Sequence, residues 1–342
     1  MKNILVVNVN WLGDVIFSTP IFKALKEKYP QARIFCLAVP RVKEILESNS
    51  YLDEVIEYDE RGKHFSPWGK FKLIHDLRRR RFDIAFLLHR SWTRALLVYL
   101  AGIPQRVGYD AKKRGGFLTH KVRLAAEPLH RSDHYLRVIE DFGVTVKDRT
   151  NFLSIDRTAR SDIEKMLTQH GVSPSDFLVA LNTGGNWDLK RWPKSYFVQL
   201  MEYLSVHSSW KIVVPGSSQD QSDVQEMIAL SRKQVINLAG KTNLKQLIAL
   251  LARVDVAVSA DSGPLHMANA VGTPVVGIFG PTRPELTGPR GSGEKKFLQK
   301  DVGCNRAPCY YLDCPSNVCM QAVSVEEVFN AVQEIYTVHR KK

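Results

Sequence analysis

The chain has 342 residues, 44% of them hydrophobic and 24% charged, and a formal net charge of +13 at pH 7. This length favours two domains of roughly 150 to 170 residues, and the composition is typical of a soluble globular enzyme. The longest uncharged apolar stretch, Ala95–Ile103, is too short for a membrane-spanning helix, which needs about 20 residues. Ile4–Val9 does not have the pattern of a signal peptide, so we expect a cytoplasmic protein that is at most peripheral to a membrane.

The excess positive charge is concentrated between Arg61 and Arg123. Such a region indicates an anionic partner, which could be a nucleic acid, a phosphorylated substrate or an acidic membrane surface. A solvated basic face without a partner would give the same pattern.

In the first half of the chain, short apolar segments alternate with helical patterns. The predicted strands are Asn3–Val9, Arg33–Ala38, Glu54–Tyr58, Asp83–Leu88 and Arg106–Tyr109. The predicted helices are Val15–Tyr29, Val42–Ser48, the second half of His64–Arg81, Arg94–Ala101 and His134–Phe142. This alternation predicts a parallel, doubly wound sheet. The polar stretch Val146–Arg160 is the candidate linker, within which Phe152–Ile155 could form another strand.

The second half repeats the same alternation. Its predicted strands are Phe177–Asn182, Lys211–Val214, Val235–Asn237, Val256–Ser259 and Pro274–Phe279. Its predicted helices are Arg160–His170, Tyr196–Ser205, Ser222–Leu230, Leu244–Arg253, Pro264–Val271 and Ser324–Arg340. The last helix has a capping box and an apolar stripe that must be buried on a folded domain. We therefore expect two α/β domains, 1–155 and 156–323, followed by a C-terminal helix over 324–342.

The stretch Asp255–Thr282 predicts a strand, a tight loop, a short helix and a second strand. The helix begins near Asp261, Ser262 and Gly263, and Pro264 occupies an early position where a missing N–H has no cost. A helix start beside the carboxyl end of a strand offers unpaired N–H groups and a positive dipole end, which suit a phosphate. An ordinary βαβ unit with a well-capped helix would have the same pattern.

Other chemistry-bearing residues also follow predicted strands, where ligands bind in open parallel sheets. Asp14 directly follows Gly13 after the first strand, and it is either a helix cap or a general base. Lys190 and Arg191 follow the Gly-rich loop Thr183–Asn186, and they either form a surface turn or neutralise a diphosphate leaving group. No Asp-x-Asp pair occurs in the sequence, so a mechanism that holds a metal–diphosphate through such a pair is disfavoured.

Four cysteines near the C-terminus are evenly spaced: Cys304, Cys309, Cys314 and Cys319. Four thiolates could hold zinc, but the usual C-x2-C pairs are absent. Structural disulfides are not expected in a cytosolic chain. We expect reduced cysteines in a packed loop, and their purpose stays open.

Three segments resemble the family 9 glycosyltransferases, the ADP-heptose:lipopolysaccharide heptosyltransferases, and especially their heptosyltransferase II branch. These segments are N-x-N-W-L-G-D-V-x-x-S-T-P at Asn8–Pro20, K-R-W-P at Lys190–Pro193, and D-S-G-P-x-H-x-A-x-A-x-G-x-P at Asp261–Pro274 followed by F-G-P-T. The resemblance implies a GT-B fold: two Rossmann-like domains facing across a cleft, with the last helix crossing back to the N-terminal domain. It implies that the N-terminal domain binds the acceptor and that the C-terminal domain binds the nucleotide sugar.

By resemblance, Asp14 is the expected catalytic base and Lys190 the diphosphate-binding lysine. The expected donor-binding residues are Thr183, Gly184, Lys190, Arg191, Gly216, Asp261, Ser262, Gly263, Pro264 and His266. The expected acceptor-binding residues are Asn10, Trp11, Gly13, Arg61, Lys63, Arg90, Arg114 and Lys121. Many family members carry a Glu near the nucleoside, where this chain reads Gly216-Ser217-Ser218-Gln219.

These features predict an inverting, metal-independent transferase that moves heptose from ADP-heptose to the inner core of lipopolysaccharide. We expect no metal and no cofactor, ADP-heptose and an anionic acceptor as partners, no nucleic acid, and a monomer peripheral to the inner face of the cytoplasmic membrane. A transferase for another sugar or acceptor and a nucleotide-sugar epimerase are the alternatives. A nucleic-acid-binding protein would rest on charge alone.

Overall fold

The computed structural model describes residues 1–185, 187–306, 308–309 and 314–339 of the chain. The chain forms two compact units, Met1–Ser154 and Ile155–Lys342. The domain boundary predicted at residue 155 is adjacent to this division.

The first unit is a six-stranded parallel sheet covered by helices. Its strands are β1 (Asn3–Val7), β2 (Arg33–Ala38), β3 (Glu54–Glu57), β4 (Ile84–Leu87), β5 (Gln105–Tyr109) and β6 (His120–Val122). Its helices are α1 (Leu12–Phe17), α2 (Thr19–Lys28), α3 (Pro40–Glu47), α4 (Pro67–Arg79), α5 (Trp92–Leu100) and α6 (Arg131–Glu140). The strand order β3-β2-β1-β4-β5-β6 is that of a doubly wound Rossmann-like sheet.

The central strand β1 explains why both faces of this sheet are covered. Ile4 and Val6 belong to one apolar cluster, whereas Leu5 and Val7 belong to another. Successive side chains of a strand point to opposite faces, so a continuous apolar run requires a layer of helices on each side. This arrangement leaves the carboxyl edge of the sheet for polar loops.

The helix predicted over Val15–Tyr29 is two helices, α1 and α2, which are separated at Ser18. Pro20 lacks a backbone N–H, and within a continuous helix its ring would clash with the carbonyl four residues earlier. Proline is therefore favoured in the first turn of a new helix and disfavoured in a helix interior. The hydroxyls of Ser18 and Thr19 donate to the carbonyls of Val15 and Ile16, each at 2.7 Å. These bonds satisfy carbonyls that the break leaves without helical partners.

The second unit has the same architecture. Its strands are β7 (Phe177–Asn182), β8 (Trp210–Gly216), β9 (Val235–Ala239), β10 (Val256–Ala260), β11 (Val275–Phe279) and β12 (Lys295–Gln299). Its helices are α7 (Arg157–Gln169), α8 (Lys194–Leu204), α9 (Gln221–Ser231), α10 (Leu244–Arg253), α11 (Gly263–Ala270), α12 (Pro284–Thr287), α13 (Val318–Gln321) and α14 (Val325–His339). The strand order is β12-β11-β10-β7-β8-β9, all parallel. The prediction of two doubly wound α/β halves is confirmed.

The C-terminal helix α14 begins with the predicted capping box. The Ser324 N–H and hydroxyl each donate to Glu327 Oε2 at 3.0 Å, and the Glu327 N–H donates back to Ser324 Oγ at 3.2 Å. The apolar stripe of the helix, including Val328, Val332 and Ile335, is buried in the core of the second unit, where α14 packs on α8 and the sheet. The apolar stripe, predicted from the sequence to be buried on a folded domain, therefore covers one face of the second unit's own sheet.

Two further differences concern weak local signals. Phe152–Ile155 is not a strand, and the edge strands β6 and β12 were not predicted. Side chains along β12 alternate between exposed and half-buried, so the segment has no strong apolar signal. Its strand conformation is determined mainly by pairing with β11. Within the described residues, no helix combines the length and apolar character needed to cross a membrane.

Candidate active site

The polar site of the second unit is centred on the carboxylate of Asp261. This residue directly follows β10 and is 6% exposed. Its Oδ2 accepts hydrogen bonds from Lys190 Nζ at 2.7 Å, Thr282 Oγ1 at 2.7 Å and Thr287 Oγ1 at 3.1 Å. Its Oδ1 lies 3.2 Å from His266 Nε2. Segments that are far apart in sequence therefore meet at one buried carboxylate.

The electrostatics of this cluster keep Asp261 ionised. Burial alone would raise the pKa of the Asp261 carboxyl, but the hydrogen bond from His266 and the charge of Lys190 hold that pKa well below its usual range. An ionised carboxylate fixes the position of the Lys190 ammonium, which is itself partly exposed. We therefore infer that Asp261 positions Lys190. The carboxylate oxygens of Asp261 already accept hydrogen bonds from protein donors.

The start of α11 lies in a second polar network. Asn182, at the end of β7, donates from Nδ2 to Ser259 Oγ at 2.9 Å and to Ser262 Oγ at 3.1 Å. Among the described residues, the Ser262 side chain makes no capping bond to α11, although Ser262 occupies the cap position. Pro264 has no N–H, so the donors that this helix start can offer a phosphate are backbone N–H groups of its other early residues.

The Gly-rich loop after β7 is braced by Arg191. The guanidinium donates to the carbonyl of Gly185 from Nε at 3.0 Å and from Nη2 at 2.7 Å, and Nε lies 3.3 Å from Asp188 Oδ1. Thr183 and Gly184 are half-buried in this loop, and Asn186, which the sequence prediction included, lies outside the described residues. Arg191 thus holds the loop, while Lys190 points into the Asp261 cluster.

An unpredicted carboxylate, Asp220, lies close to this loop. Asp220 Oδ2 accepts from the Ser217 N–H at 2.9 Å and from the Ser217 hydroxyl at 2.6 Å. A Cβ added to Gly184 would come within 3.0 Å of the Asp220 carboxylate, and one added to Gly216 would lie 3.2 Å from its Cβ. The two glycines therefore allow an acidic side chain to reach the carboxyl ends of β7 and β8.

In the first unit, Asp14 lies in the first turn of α1 and is half-buried. Its Oδ1 accepts a 2.6 Å hydrogen bond from the hydroxyl of Tyr135 on α6. Burial, followed by the nearby Asp14 carboxylate, raises the pKa of Tyr135 well above its usual value, so this hydroxyl stays protonated. Tyr135 therefore orients the Asp14 carboxylate through Oδ1, and Asp14 Oδ2 takes no part in this hydrogen bond.

Helix α6, which carries Tyr135, is tied to α1 by buried polar contacts. Its N-cap residue, His130, accepts from the Ser132 N–H at 3.0 Å, and the Ser132 hydroxyl donates to the Phe17 carbonyl at 3.0 Å. The Asn151 amide donates to Ser132 Oγ at 3.2 Å. The distance between Asp14 and Tyr135 is thus set by the packing of two helices.

Arg94 organises the loop that precedes Asp14. Its side chain is buried and donates to the Asn8 carbonyl at 2.6 Å, to Asn10 Oδ1 at 2.7 Å and to Glu60 Oε2 at 3.3 Å. Asn10 in turn donates to Glu60 Oε1 at 3.1 Å. These bonds fix the predicted acceptor residue Asn10, while the adjacent Trp11 is exposed.

Four of the predicted acceptor cations are exposed, namely Arg61, Lys63, Arg90 and Lys121. Arg114 differs, because it is fully buried and its guanidinium donates to the carbonyls of Tyr109 and His89. This finding favours a structural role for Arg114, since it joins the ends of β4 and β5. Gly13, between Trp11 and Asp14, is half-buried in the first turn of α1.

The carboxyl edge of the first sheet has a positive potential. Burial, followed by the charges of Arg94, Arg114, Lys112 and Arg90, lowers the pKa of His89 to about 3. The His89 ring therefore stays neutral near pH 7 and accepts the Ser91 N–H at 3.1 Å. The charges of Arg94, Arg114, Lys112 and Arg90 favour an anion at this edge.

Replacing His134 with phenylalanine should weaken the acid sensitivity of folding. His134 stacks on Tyr109 at 4.3 Å, and burial, followed by Arg90, lowers its pKa to about 4. Because this pKa lies below the value of about 6.5 in an unfolded chain, the neutral ring's contribution to stability is complete above pH ~6.5 and is lost as pH falls towards 4. Thermal unfolding measured across this window should have a shallower pH slope in His134→Phe; an unchanged slope would contradict this account.

Sequence reasoning found Asp14, Lys190 and Asp261 but missed Tyr135, Arg94, Thr282, Thr287 and Asp220 as members of these networks. Thr282 lies in the noted F-G-P-T motif, and Asp220 follows β8 as site residues often do. Tyr135 has no local signal, because it occurs in an ordinary amphipathic helix. Its role depends on which helix packs against α1.

The four C-terminal cysteines line one cavity of about 300 Å³, together with side chains such as Leu189, Arg283 and Lys300. Each is a free thiol. Within the described residues, no group of three His, Cys, Asp or Glu side chains is arranged to hold a metal ion. The structure assigns no chemistry to these cysteines.

Two doubly wound units with polar residues at the carboxyl ends of their strands are the architecture of GT-B proteins. Residues 70–311 match the sequence profile of glycosyltransferase family 9 (heptosyltransferase). The lipopolysaccharide heptosyltransferase 2 of Escherichia coli (strain K12) is 31% identical over 297 residues, which are 84% of this chain and 85% of that protein. The chain therefore belongs to glycosyltransferase family 9 and is a glycosyltransferase.

Solved structures show the same fold. The glycosyl transferase family 9 protein from Veillonella parvula DSM 2008 superposes with a TM-score of 0.86 at 26% identity, covering 98% of this chain and 97% of that one. The ADP-heptose lipopolysaccharide heptosyltransferase II of E. coli superposes with a TM-score of 0.81 at 24% identity, covering 99% of this chain and 100% of that one.

Proposed function

We propose that this protein is an inverting, metal-independent heptosyltransferase that moves heptose from ADP-heptose to the inner core of lipopolysaccharide. The observation that carries the proposal is the Lys190 ammonium held by an ionised, buried Asp261 near the start of α11. A fixed cation near helix N–H groups is suited to a diphosphate. The names of the relatives, lipopolysaccharide heptosyltransferase 2 and ADP-heptose heptosyltransferase II, support this choice of donor and acceptor.

In the proposed reaction, Asp14 accepts the proton of the acceptor hydroxyl as its oxygen attacks the anomeric carbon of the heptose. The bond between that carbon and the diphosphate oxygen breaks, and ADP leaves with the electron pair. Lys190 and the N–H groups at the α11 start stabilise the negative charge of ADP, with no metal ion required. Attack opposite the leaving group inverts the anomeric configuration.

We assign donor binding to the second unit and acceptor binding to the first. The other donor-binding residues that we propose are Thr183, Gly184, Gly216, Ser262, Gly263 and His266. Arg191 braces their loop, and Asp220, which lies beside Gly184 and Gly216, is a further candidate for binding the nucleoside. Arg61, Lys63, Arg90 and Lys121 are exposed cations for a phosphorylated acceptor. A lipid-anchored acceptor would bring the enzyme to the inner face of the cytoplasmic membrane, and we propose that it acts there as a monomer.

A panel of ADP-, UDP- and GDP-sugars tests the donor assignment by calorimetry. ADP-heptose should bind most tightly, and a chelator such as EDTA should leave both its binding and its transfer to lipid-linked acceptor unchanged. Preferential binding of a uridine donor would overturn the nucleotide assignment. Loss of transfer with EDTA that is restored by a divalent cation would overturn metal independence.

A nucleotide-sugar epimerase is the alternative that the sequence left open, and membership of glycosyltransferase family 9 disfavours it. A putative UDP-N-acetylglucosamine 2-epimerase from Listeria monocytogenes superposes with a TM-score of 0.51 at 12% identity, which shows similarity of fold alone. An epimerase needs no acceptor, so the basic residues of the first unit would have no role. Incubating donor without acceptor distinguishes the two, since only an epimerase would convert the sugar into an isomer.

A further inference from the structure

The solvent-facing side of α4 has an unusual composition. Helix α4 buries Gly69, Leu73 and Leu77 at a spacing of four residues, which defines its inner side. Its exposed positions recur at helical spacing on the opposite side, and we call them the outer face of α4: Trp68, Phe71, Lys72, His75, Arg78 and Arg79. Two large aromatic residues thus lie where a water-facing helix normally carries polar side chains.

The aromatic end of this face is highly exposed. Trp68 is 63% exposed and Phe71 is 56% exposed, and Phe65, just before the helix, is 71% exposed. Single exposed apolar residues are common, but three within seven residues form a patch that indicates an interaction site. The C-terminal end of α5, where Tyr99 and Leu100 are exposed, adjoins the last turn of α4, because Arg78 donates to the Leu100 carbonyl at 2.8 Å.

Cations surround the aromatic residues. Residues 61–81 contain eight Lys and Arg residues and one acidic residue, Asp76. Lys70 donates to the Phe65 carbonyl at 2.9 Å, and Lys72 Nζ lies 5.6 Å from the centre of the Trp68 ring. Exposed aromatic rings within a strongly basic segment are the combination that peripheral proteins use at an anionic lipid surface.

The geometry of the rings favours a bilayer over a nucleic acid. The Trp68 and Phe71 rings are stacked on each other, with centroids 5.4 Å apart and planes 14° apart, and Lys72 lies near the Trp68 ring. Nucleic-acid bases stack on open ring faces, and here one face of each ring is directed at the other ring, which leaves fewer faces for a base. Stacked rings instead form one apolar body that fits the boundary between headgroups and acyl chains, where Trp is enriched.

We propose that the outer face of α4, with Phe65, docks on an anionic phospholipid bilayer. Trp68 and Phe71 enter the boundary between headgroups and acyl chains, and Lys72, Arg78 and Arg79 lie over the lipid phosphates. This inference extends the proposed function, because it names the surface that brings the enzyme to a lipid-linked acceptor. It does not depend on the donor or on catalysis.

Flotation with vesicles tests the proposal. The full-length protein should bind vesicles of phosphatidylcholine mixed with phosphatidylglycerol, and binding should weaken with added salt and in pure phosphatidylcholine. The double variant Trp68→Ser/Phe71→Ser should lower the partition coefficient by at least about tenfold, because it removes two buried ring contacts with lipid. The variant Lys72→Gln/Arg79→Gln should lower it about fivefold for each cation removed.

A matched control replaces Val206 and Leu230, which are 80% and 61% exposed in the second unit, with serine. This control should leave vesicle binding unchanged, and all variants should keep the unfolding temperature and the ADP-heptose affinity of the wild type. Equal binding by wild type and Trp68→Ser/Phe71→Ser would overturn the proposal. The proposal would also be overturned if the wild type bound a single-stranded oligonucleotide but no vesicles, and the variant did not bind the oligonucleotide. Failure of ADP-heptose to bind would instead overturn the proposed donor and leave the vesicle result standing.

Discussion

Replacing Asp14 with alanine is expected to lower the rate of heptose transfer by a factor of about 10² to 10⁴, the usual effect of removing a positioned general base. Binding of ADP-heptose should stay close to that of the wild type, because the proposed donor residues all belong to the second unit. The loss should appear in kcat, measured with lipid-linked acceptor and saturating donor. Near-normal turnover would rule out Asp14 as the base.

Three further variants separate chemistry from folding. Asp14→Asn keeps the size of the side chain and should lose nearly as much activity as alanine, because an amide cannot accept the proton. Tyr135→Phe removes the 2.6 Å bond to Asp14 and should lower kcat about tenfold without changing donor affinity. Asp133→Asn is a control on α6, the helix that carries Tyr135. It removes a carboxylate that pairs with Arg149, and it should leave turnover unchanged.

Replacing Lys190 with alanine is expected to weaken ADP-heptose binding by about 10- to 100-fold, the usual range for a hydrogen bond to a charged group. It should also lower the free energy of unfolding by about 2 kcal/mol, because the buried Asp261 carboxylate loses one of its partners. Titration calorimetry and denaturant unfolding measure the two effects separately.

Two lysine variants control this experiment. Lys190→Arg keeps the charge and should recover part of both losses. Lys194→Ala removes an exposed lysine that pairs with Asp223 and Glu226, and it should change neither affinity nor stability appreciably. Donor affinity in Lys190→Ala equal to that in Lys194→Ala would contradict the diphosphate role.

The fold was largely predictable because its signals are local. Strand β1 is a continuous apolar run that is buried on both faces, and such runs identify central parallel strands. Strands β6 and β12 were missed, because edge strands with polar side chains are defined by pairing with a neighbour. The break at Ser18 was also missed, although Pro20 supplied a local reason for it.

The site was predictable at its sequence motifs and not in its supporting contacts. Asp14 and Asp261 stand at helix starts after strands, where chain order alone brings them to a sheet edge. Arg114 was grouped with the exposed cations by its charge, and the structure places it in the interior, bonded to backbone carbonyls. Charge in a sequence does not distinguish a surface cation from a buried one that satisfies carbonyl groups.

By itself, the sequence determined the two α/β halves, the family motifs and the residues proposed for proton transfer and diphosphate binding, since periodicity and helix-start chemistry depend on near neighbours. Only the tertiary structure decided which side chains hold those residues. Tyr135 reaches Asp14 across 121 positions, and Lys190 reaches Asp261 across 71. It also decided that Trp68 and Phe71 face outward, because the side of α4 that is buried depends on the sheet and helix beneath it.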